Sequence, residues 1–590
     1  MSTHNNASIT VENLSFRYPG SDEYVLDGAS VEIESGEFVA VIGANGSGKT
    51  TLCKSFNGLI PHFYEGAFEG EVTVAGVETI ESTVAGLSEH VGYVFQEFDN
   101  QLVSPTVADE VAFGPINHGH EDYRERIARA LSLVGLEDAE DRFLWELSGG
   151  QKHLVALAAV LSLDPVILVV DEPAAQLDPV HAGETYEHLA DLNREHGKTV
   201  VTIEHQTEFV AEYCDSVVLV EDGQVAWKAP VETALNRLSD LRANDIRPPQ
   251  VTRTAERMAD DGARLPIRLD EGVRQFRARL ETTTDQSVSR GREGRAVETD
   301  RPDRDGTGDP VVSLSSVSHS YTTLRGPDEQ VLDDVSVDLH AGDRVALVGG
   351  NGAGKSTLLN LVTGVEKPDG GTVTVHGTET TATVPETLAE DVVYVHQNPE
   401  EMFVEDSVRA DVGHYLTARE MANAETRIDD VVSFLDLEEL EDRDGRLLSV
   451  GQQRRASLAI GLATDPSVVL LDEPTGSLDL SSRTDVGRTI ERAGERVETV
   501  VIATHDLELA AAWATRIIVL DGGRVLADGT PREVFAATDV LGQANVEPPQ
   551  IVRLSTALGV SPVALTCEEL SDRLSAGLRR TAANTEEQTR

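Results

Sequence analysis

At 590 residues the chain is too long for one ordinary domain and has the length of roughly three or four cooperative units. Acidic residues outnumber basic ones 102 to 49, and the net charge of −53 repels nucleic-acid phosphates and anionic lipid, so neither is expected to be held by the bulk surface. Cys53, Cys214 and Cys567 have no paired spacing, which argues against a disulfide framework or zinc site, and no apolar run approaches the roughly 18 residues of a spanning helix.

In chain order, the start from Met1 to Asn6 is polar and lacks a signal peptide's basic and apolar regions, so any membrane role is expected from the cytoplasmic face, peripherally. Beyond Tyr18, the run Val39 to Ile42 reads as a buried strand and leads straight into Gly43, Ala44, Asn45, Gly46, Ser47, Gly48, Lys49, Thr50 and Thr51, then an apolar-periodic helix. This is a phosphate loop in its proper strand-to-helix context. Glycines let backbone N–H groups converge on phosphates, the helix start adds partial positive charge, Lys49 adds a whole one, and Thr50 offers a hydroxyl to Mg²⁺. Gln96 follows, then Leu147, Ser148, Gly149, Gly150, Gln151 and Lys152. Val166 to Val170 is an apolar strand ending in Asp171 and Glu172, 128 residues after the loop's first glycine. Adjacent carboxylates at a strand end are costly unless used. The first suits Mg²⁺ through its water shell, and the second can orient or polarise an attacking water. The β-rich run Thr199 to Ile203 precedes His205, and Pro248, Pro249 and Gln250 close the set.

From Val251 to about Val273 the mixed apolar spacing suggests small helical extensions, and residues about 276–310, rich in charge, Gly and Pro, describe a solvated linker. At full extension about 35 residues reach more than 100 Å, so the tether lets flanking domains face each other. Then the series repeats. Tyr321, the strand Val345 to Val348, and the loop Gly349, Gly350, Asn351, Gly352, Ala353, Gly354, Lys355, Ser356 and Thr357 come first. Gln397, then Leu448, Ser449, Val450, Gly451, Gln452 and Gln453, then Asp472 and Glu473, then Thr499 to Ala503 with His505, and finally Pro548, Pro549 and Gln550 follow in the same order. Offsets between counterparts lie between 300 and 306, which identifies two copies of one domain, spanning about 8–250 and 311–550. The extension and linker occupy 251–310, and 551–590 forms a C-terminal extension and tail, in which Thr566 is expected to cap a helix.

Leu147 to Lys152 and Leu448 to Gln453 resemble the signature motif of ABC ATPases, each placed shortly before its Asp-Glu strand. The resemblance implies an α/β fold of two phosphate-loop ABC ATPase domains, each with a RecA-like α/β core, an antiparallel β subdomain and a helical signature subdomain. It implies ATP and Mg²⁺ as cofactors and ATP hydrolysis as the activity. In that family Gln96 and Gln397 match the Q-loop, linking Mg²⁺ or attacking water to the transport subunit. His205 and His505 match the switch histidine on the γ-phosphate, Tyr18 and Tyr321 the aromatic on adenine, and Leu177-Asp178 and Leu478-Asp479 the D-loop. Taken singly, a strand-end His or a lone Gln or Tyr is usually structural; order and repetition reverse that. The signature serine and glycine amides clamp ATP held by the opposite domain, so head-to-tail pairing of the two copies would build two composite sites. One joins Lys49, Asp171, Glu172 and His205 to Ser449 and Gly451; the other joins Lys355, Asp472, Glu473 and His505 to Ser148 and Gly150. Two departures stand out. Val450 replaces a signature glycine and is expected to weaken the clamp by restricting φ, and Ala174-Ala175-Gln176 replaces the usual Thr/Ser-Gly region.

Tyr93 to Val107, continuing from Glu110 to Pro115, is similar to the Q-loop and following helix of energy-coupling-factor (ECF) transporter ATPases, and the Pro-Pro-Gln segments and the C-terminal Leu565 to Leu570 resemble theirs. That resemblance implies a translocase subunit for vitamins, vitamin precursors or transition-metal ions, with a transmembrane coupling subunit and a membrane-embedded substrate-binding subunit as partners. The second copy, from Val395 to Phe403, is less typical. Glu97, Asp99 and Asp109 offer an acidic face to basic coupling helices. The acid-rich surface with only seven lysines resembles haloarchaeal proteins, in which salt screens self-repulsion. The alternatives are a conventional ABC transporter ATPase and a soluble tandem-ABC protein acting on ribosomes or nucleic acid; the latter usually needs basic contacts that this charge balance does not supply.

Overall fold

The computed structural model describes residues 7–174, 177–259, 263–284, 308–322, 328–476, 478 and 480–576. Asp479, the Ala175-Gln176 pair, the linker over 285–307 and the tail beyond 576 lie outside the described residues. The chain divides into two compact units, one up to Gly272 and one from Val273.

The first unit carries two sheets. Strands β1 (Ala7–Arg17), β2 (Leu26–Glu34), β4 (Ala67–Val74) and β5 (Val77–Glu78) form an antiparallel sheet in the order β2-β1-β4-β5. Strands β3 (Phe38–Ile42), β6 (Val91–Val94), β7 (Ile167–Asp171), β8 (Thr199–Ile203), β9 (Ser216–Glu221) and β10 (Gln224–Pro230) form the second, in the order β10-β9-β3-β8-β7-β6. All its neighbours are parallel except β9 and β10. Strand β3 alternates between two cores. Val39 and Val41 face the antiparallel sheet, while Phe38, Ala40 and Ile42 face the helices, among them Gly149–Leu161. A strand buried on both faces reads as a continuous apolar run, which is why the sequence exposes it so clearly.

The second unit repeats this plan. Strands β11 (Val312–Tyr321), β12 (Glu329–Leu339), β14 (Gly370–Val375) and β15 (Thr378–Glu379) form the antiparallel sheet β12-β11-β14-β15. Strands β13 (Arg344–Val348), β16 (Val392–Val395), β17 (Val468–Asp472), β18 (Thr499–Ala503), β19 (Arg516–Asp521) and β20 (Arg524–Gly529) take the order β16-β17-β18-β13-β19-β20. In both units the three strands that carry the site motifs are neighbours in one register. Val41 and Asp171 both pair with Ile203, and Leu347 and Asp472 both pair with Ala503. Their carboxyl ends therefore open together, the place where such sheets bind ligands.

One expectation is corrected. Residues 276–284, read as linker, continue the helix Leu269–Thr284, and Phe276 is buried. Val273, Phe276 and Leu280 recur at helical spacing within a charge-rich stretch, and that stripe outweighs the composition. Helix Gln250–Glu256 starts on the Pro-Pro-Gln segment, and Thr566 caps a helix over 567–576 by accepting from the Glu569 N–H at 3.2 Å.

Candidate functional site

Each phosphate loop bridges its strand and a helix, β3 to Lys49–Phe56 and β13 to Lys355–Thr363. Gly43 has φ +153°, and a Cβ there would lie 2.2 Å from the Val220 carbonyl oxygen; Gly349 meets Leu520 in the same way. Only glycine fits so close an approach of two backbones. Lys49 donates through Nζ to the carbonyls of Gly43 (2.9 Å) and Ala44 (2.8 Å), and Lys355 to those of Gly349 (2.8 Å) and Gly350 (3.1 Å). Both ammonium groups are thus folded back across the loop that a phosphate would occupy. Thr50 and Thr51, and Ser356 and Thr357, open the helices behind them. Tyr18 and Tyr321 sit beside the loops, each hydroxyl 3.2 Å from Thr51 or Thr357.

At the end of β7, Asp171 accepts from the Tyr93 hydroxyl at 3.1 Å, while its buried Oδ1 has no hydrogen-bond partner among the described residues. Burial and the neighbouring Glu172 push its carboxyl up to about 6, against the pull of Tyr93, Lys54 and Thr50. A buried carboxylate oxygen left unspent beside a threonine hydroxyl fits a hydrated divalent cation, whose charge would satisfy it. Asp472 likewise accepts from Tyr394 at 2.8 Å.

Next to Asp171, Glu172 is held at φ +50°, a conformation uncommon for a side-chain-bearing residue, and Glu473 repeats it at +44°. Glu172 Oε2 accepts from Gln96 Nε2 at 2.8 Å and Oε1 lies 3.2 Å from His205 Nε2, so the fold brings the three together. The second unit differs. Glu473 Oε2 accepts from the Thr504 hydroxyl (3.2 Å) and the His505 N–H (3.3 Å), and Oε1 meets His505 Nδ1 at 2.9 Å. Burial pulls the His505 imidazole down, but the charge and hydrogen bond of Glu473 overcome it and leave it above its usual range. Gln397 is exposed and makes no hydrogen bond to Glu473 among the described residues.

The signature segments begin helices Gly149–Leu161 and Val450–Leu462. Ser148 and Ser449 are N-caps that accept from the N–H of Gln151 and Gln452, whose side chains accept in return. This capping box leaves the first-turn amides at a positive helix end, a ready anion site. Gly149 and Val450 each occupy the first helical position, with no left-handed backbone, and a Cβ on Gly149 would meet nothing within 4 Å. The expected φ restriction at Val450 is therefore absent, because a helical first turn suits valine. Gly150 and Gly451 are the constrained pair: a Cβ would press on His181 at 3.1 Å or Ser482 at 2.8 Å. Asp178 of the D-loop is buried, accepting from His181 N–H at 3.1 Å and bonding its Nδ1 at 2.7 Å.

Three features were not singled out in the sequence. Arg454, one turn into the second signature helix, is buried, donates to the His396 carbonyl at 2.9 Å, and feels the charges of Glu473 and Asp472; burial lowers its guanidinium to about 10. At the same helix position the first unit has His153, buried against Phe98 at 5.1 Å and pushed down to about 4 by desolvation. Glu204 is the third, a buried acid directly before His205.

Comparison with known proteins decides the family. The ABC transporter family profile matches residues 26–175 and 332–476, half of the chain. This chain belongs to the ABC transporter ATP-binding family. A protein of Methanosarcina mazei, named provisionally as an ABC transporter ATP-binding protein, is 33% identical over 96% of this chain and 96% of its own. A similarly named protein of Caldanaerobacter subterraneus subsp. tengcongensis is 32% identical over 94% of this chain and 97% of its own. Among solved structures, cbiO1 from Clostridium perfringens, titled as part of the ABC transporter complex cbiONQ, is similar at 32% identity over 40% of this chain and 94% of its own, with TM-score 0.36. As a family member with two ABC domains, the chain is an ABC-type ATPase whose cofactors are ATP and Mg²⁺.

Proposed function

We propose that the chain is the ATP-hydrolysing subunit of an ECF-type ABC transporter that takes up a vitamin, a vitamin precursor or a transition-metal ion. It would bind peripherally at the cytoplasmic face of the membrane, on a transmembrane coupling subunit that works with a membrane-embedded substrate-binding subunit. The observation that carries this reading is the loop bearing Gln96. At one end Gln96 touches Glu172; a few residues on, the same loop emerges at Val103, 68% exposed, beside the helix Val107–Asn117 with its exposed Phe113 and Ile116. A docked segment there would act on the carboxylate through one short stretch of chain. Among the described residues no helix is long and apolar enough to cross a membrane, so in this reading the spanning is done by the partners. Asp99 is paired with Lys152 at 3.0 Å, and Glu97 holds Asn100, which leaves a moderated acidic rim for basic coupling segments. An acid-rich surface of haloarchaeal type belongs to the same proposal.

Within it, Lys49 and Lys355 and the loop amides hold the phosphates. Thr50, Asp171 and Gln96, and Ser356, Asp472 and Gln397, hold Mg²⁺, which when bound neutralises phosphate charge. Glu172 and Glu473 orient the attacking water, His205 and His505 contact the γ-phosphate, and Tyr18 and Tyr321 stack on adenine. The signature amides at the starts of helices Gly149–Leu161 and Val450–Leu462 serve bound nucleotide, as the family resemblance implies. The domain limits 8–250 and 311–550 are proposed on the same ground. The test is purification of the tagged chain from its native membranes. Co-purification of a multispanning subunit whose partner binds a vitamin or metal ion supports the reading; sedimentation with ribosomes and no membrane partner overturns it.

A further inference from the structure

The loop after β8 contains a feature that the loop after β18 lacks. Glu204 is buried, yet three donors converge on its carboxylate: the N–H groups of His205 (2.7 Å) and Gln206 (2.8 Å) on Oε1, and the Tyr186 hydroxyl (2.7 Å) on Oε2. Tyr186 is itself fixed, buried and stacked on Phe209 at 4.8 Å and Tyr213 at 5.3 Å, with its hydroxyl 3.3 Å from Thr202. A buried carboxylate with every donor so well placed holds its loop in one geometry.

In the second unit both members of the pair are gone together. Thr504 stands where Glu204 does, and, counting from the Leu-Asp before each helix, the place of Tyr186 falls on Gly487, beside which a Cβ would meet nothing within 4 Å. The consequence is visible one residue on. Without the carboxylate, the His505 N–H turns to Glu473, and the Thr504 hydroxyl donates to the same oxygen. In the first unit the equivalent N–H is already taken by Glu204, and Glu172 is left to the side chains of Gln96 and His205.

We infer that Glu204, anchored by Tyr186, is a positioning residue that occupies the backbone donors of the His205 loop and so keeps that loop from capturing Glu172. It acts through His205 and Glu172 and touches no reacting atom. The inference rests on Glu172 being the carboxylate that orients water. That premise has its own control, since Glu172→Gln must lower turnover whether or not Glu204 matters.

The test is steady-state ATP hydrolysis by the full chain. Glu204→Thr, which installs the second unit's residue, is expected to lower kcat by about threefold to tenfold with KM for ATP within about twofold, because orientation and not nucleotide binding is lost. Glu204→Gln keeps an oxygen for both N–H groups and an amide for the Tyr186 oxygen, and is expected to recover kcat to within about twofold of the parent. Tyr186→Phe removes only the anchor, falls between them, and carries the test if the threonine variant does not fold. An unchanged kcat in Glu204→Thr overturns the proposal. So does a matching fall in all three variants that parallels their melting temperatures, which would make the pair merely structural.

Discussion

In the first unit the oxygens of Glu172 are divided between two loops, one to Gln96 after β6 and one to His205 after β8. In the second, the described partners of the Glu473 carboxylate all come from the loop after β18, namely Thr504 and both the backbone and ring of His505, while Gln397 stands apart. Two copies of one fold therefore place the same residue types in different company. The first carboxylate is joined to the loop that leads to the proposed docking surface; in the proposed mechanism the second would have to be released by His505 before it could accept a water. The electrostatics diverge in parallel. On the second signature helix the guanidinium of Arg454 feels the charges of Glu473 and Asp472, whereas the same position of the first holds the uncharged His153, packed on Phe98.

The largest effect is expected when both carboxylates are neutralised. Glu172→Gln combined with Glu473→Gln should lower steady-state phosphate release by about 10²-fold or more while a fluorescent nucleotide still binds. Hydrolysis at the parent rate would remove both residues from the mechanism and the comparison with them. A stability difference comes next. His153 is neutral in the folded chain because burial lowers it to about 4, whereas an unfolded histidine protonates near 6.5. Stability tied to it is present above about pH 6.5 and is lost as pH falls toward 4. His153→Leu should abolish about 2 kcal/mol of the loss between pH 7.5 and 5, read by denaturant unfolding at each pH. Arg454→His, placing the first unit's residue in the second, deletes the bond to the His396 carbonyl and should cost about 1 kcal/mol, most of it in the second unit. The smallest effect is expected at Val450. Valine already sits in helical geometry there, so Val450→Gly should change turnover by less than about twofold.

Much of this was legible in the sequence, because strands buried on both faces are plain apolar runs; Thr199 to Ile203 and Thr499 to Ala503 are strands over that full length. The phosphate loops, the strand-end acids and Thr566 as a cap were also readable, since each depends on local chemistry alone. The grouping of Gln96 with Glu172 and His205 came only through family resemblance, because nothing local joins residues 76 positions apart. Glu204 was invisible for the same reason: a lone acid looks solvated until Tyr186, 18 residues away, is folded against it. His153 and Arg454 look like ordinary polar positions of an exposed helix start, and only packing against Phe98 or the loop at His396 buries them. Phe276 shows the opposite failure, in which charge-rich composition concealed a helical stripe.

In the proposed mechanism the two sites are unequal, with Glu172 the more readily available carboxylate. The direct measurement is kcat of the single variants Glu172→Gln and Glu473→Gln, side by side in the full chain. The expected loss is about tenfold for Glu172→Gln against no more than about threefold for Glu473→Gln. Equal losses, or a larger one from Glu473→Gln, would contradict it.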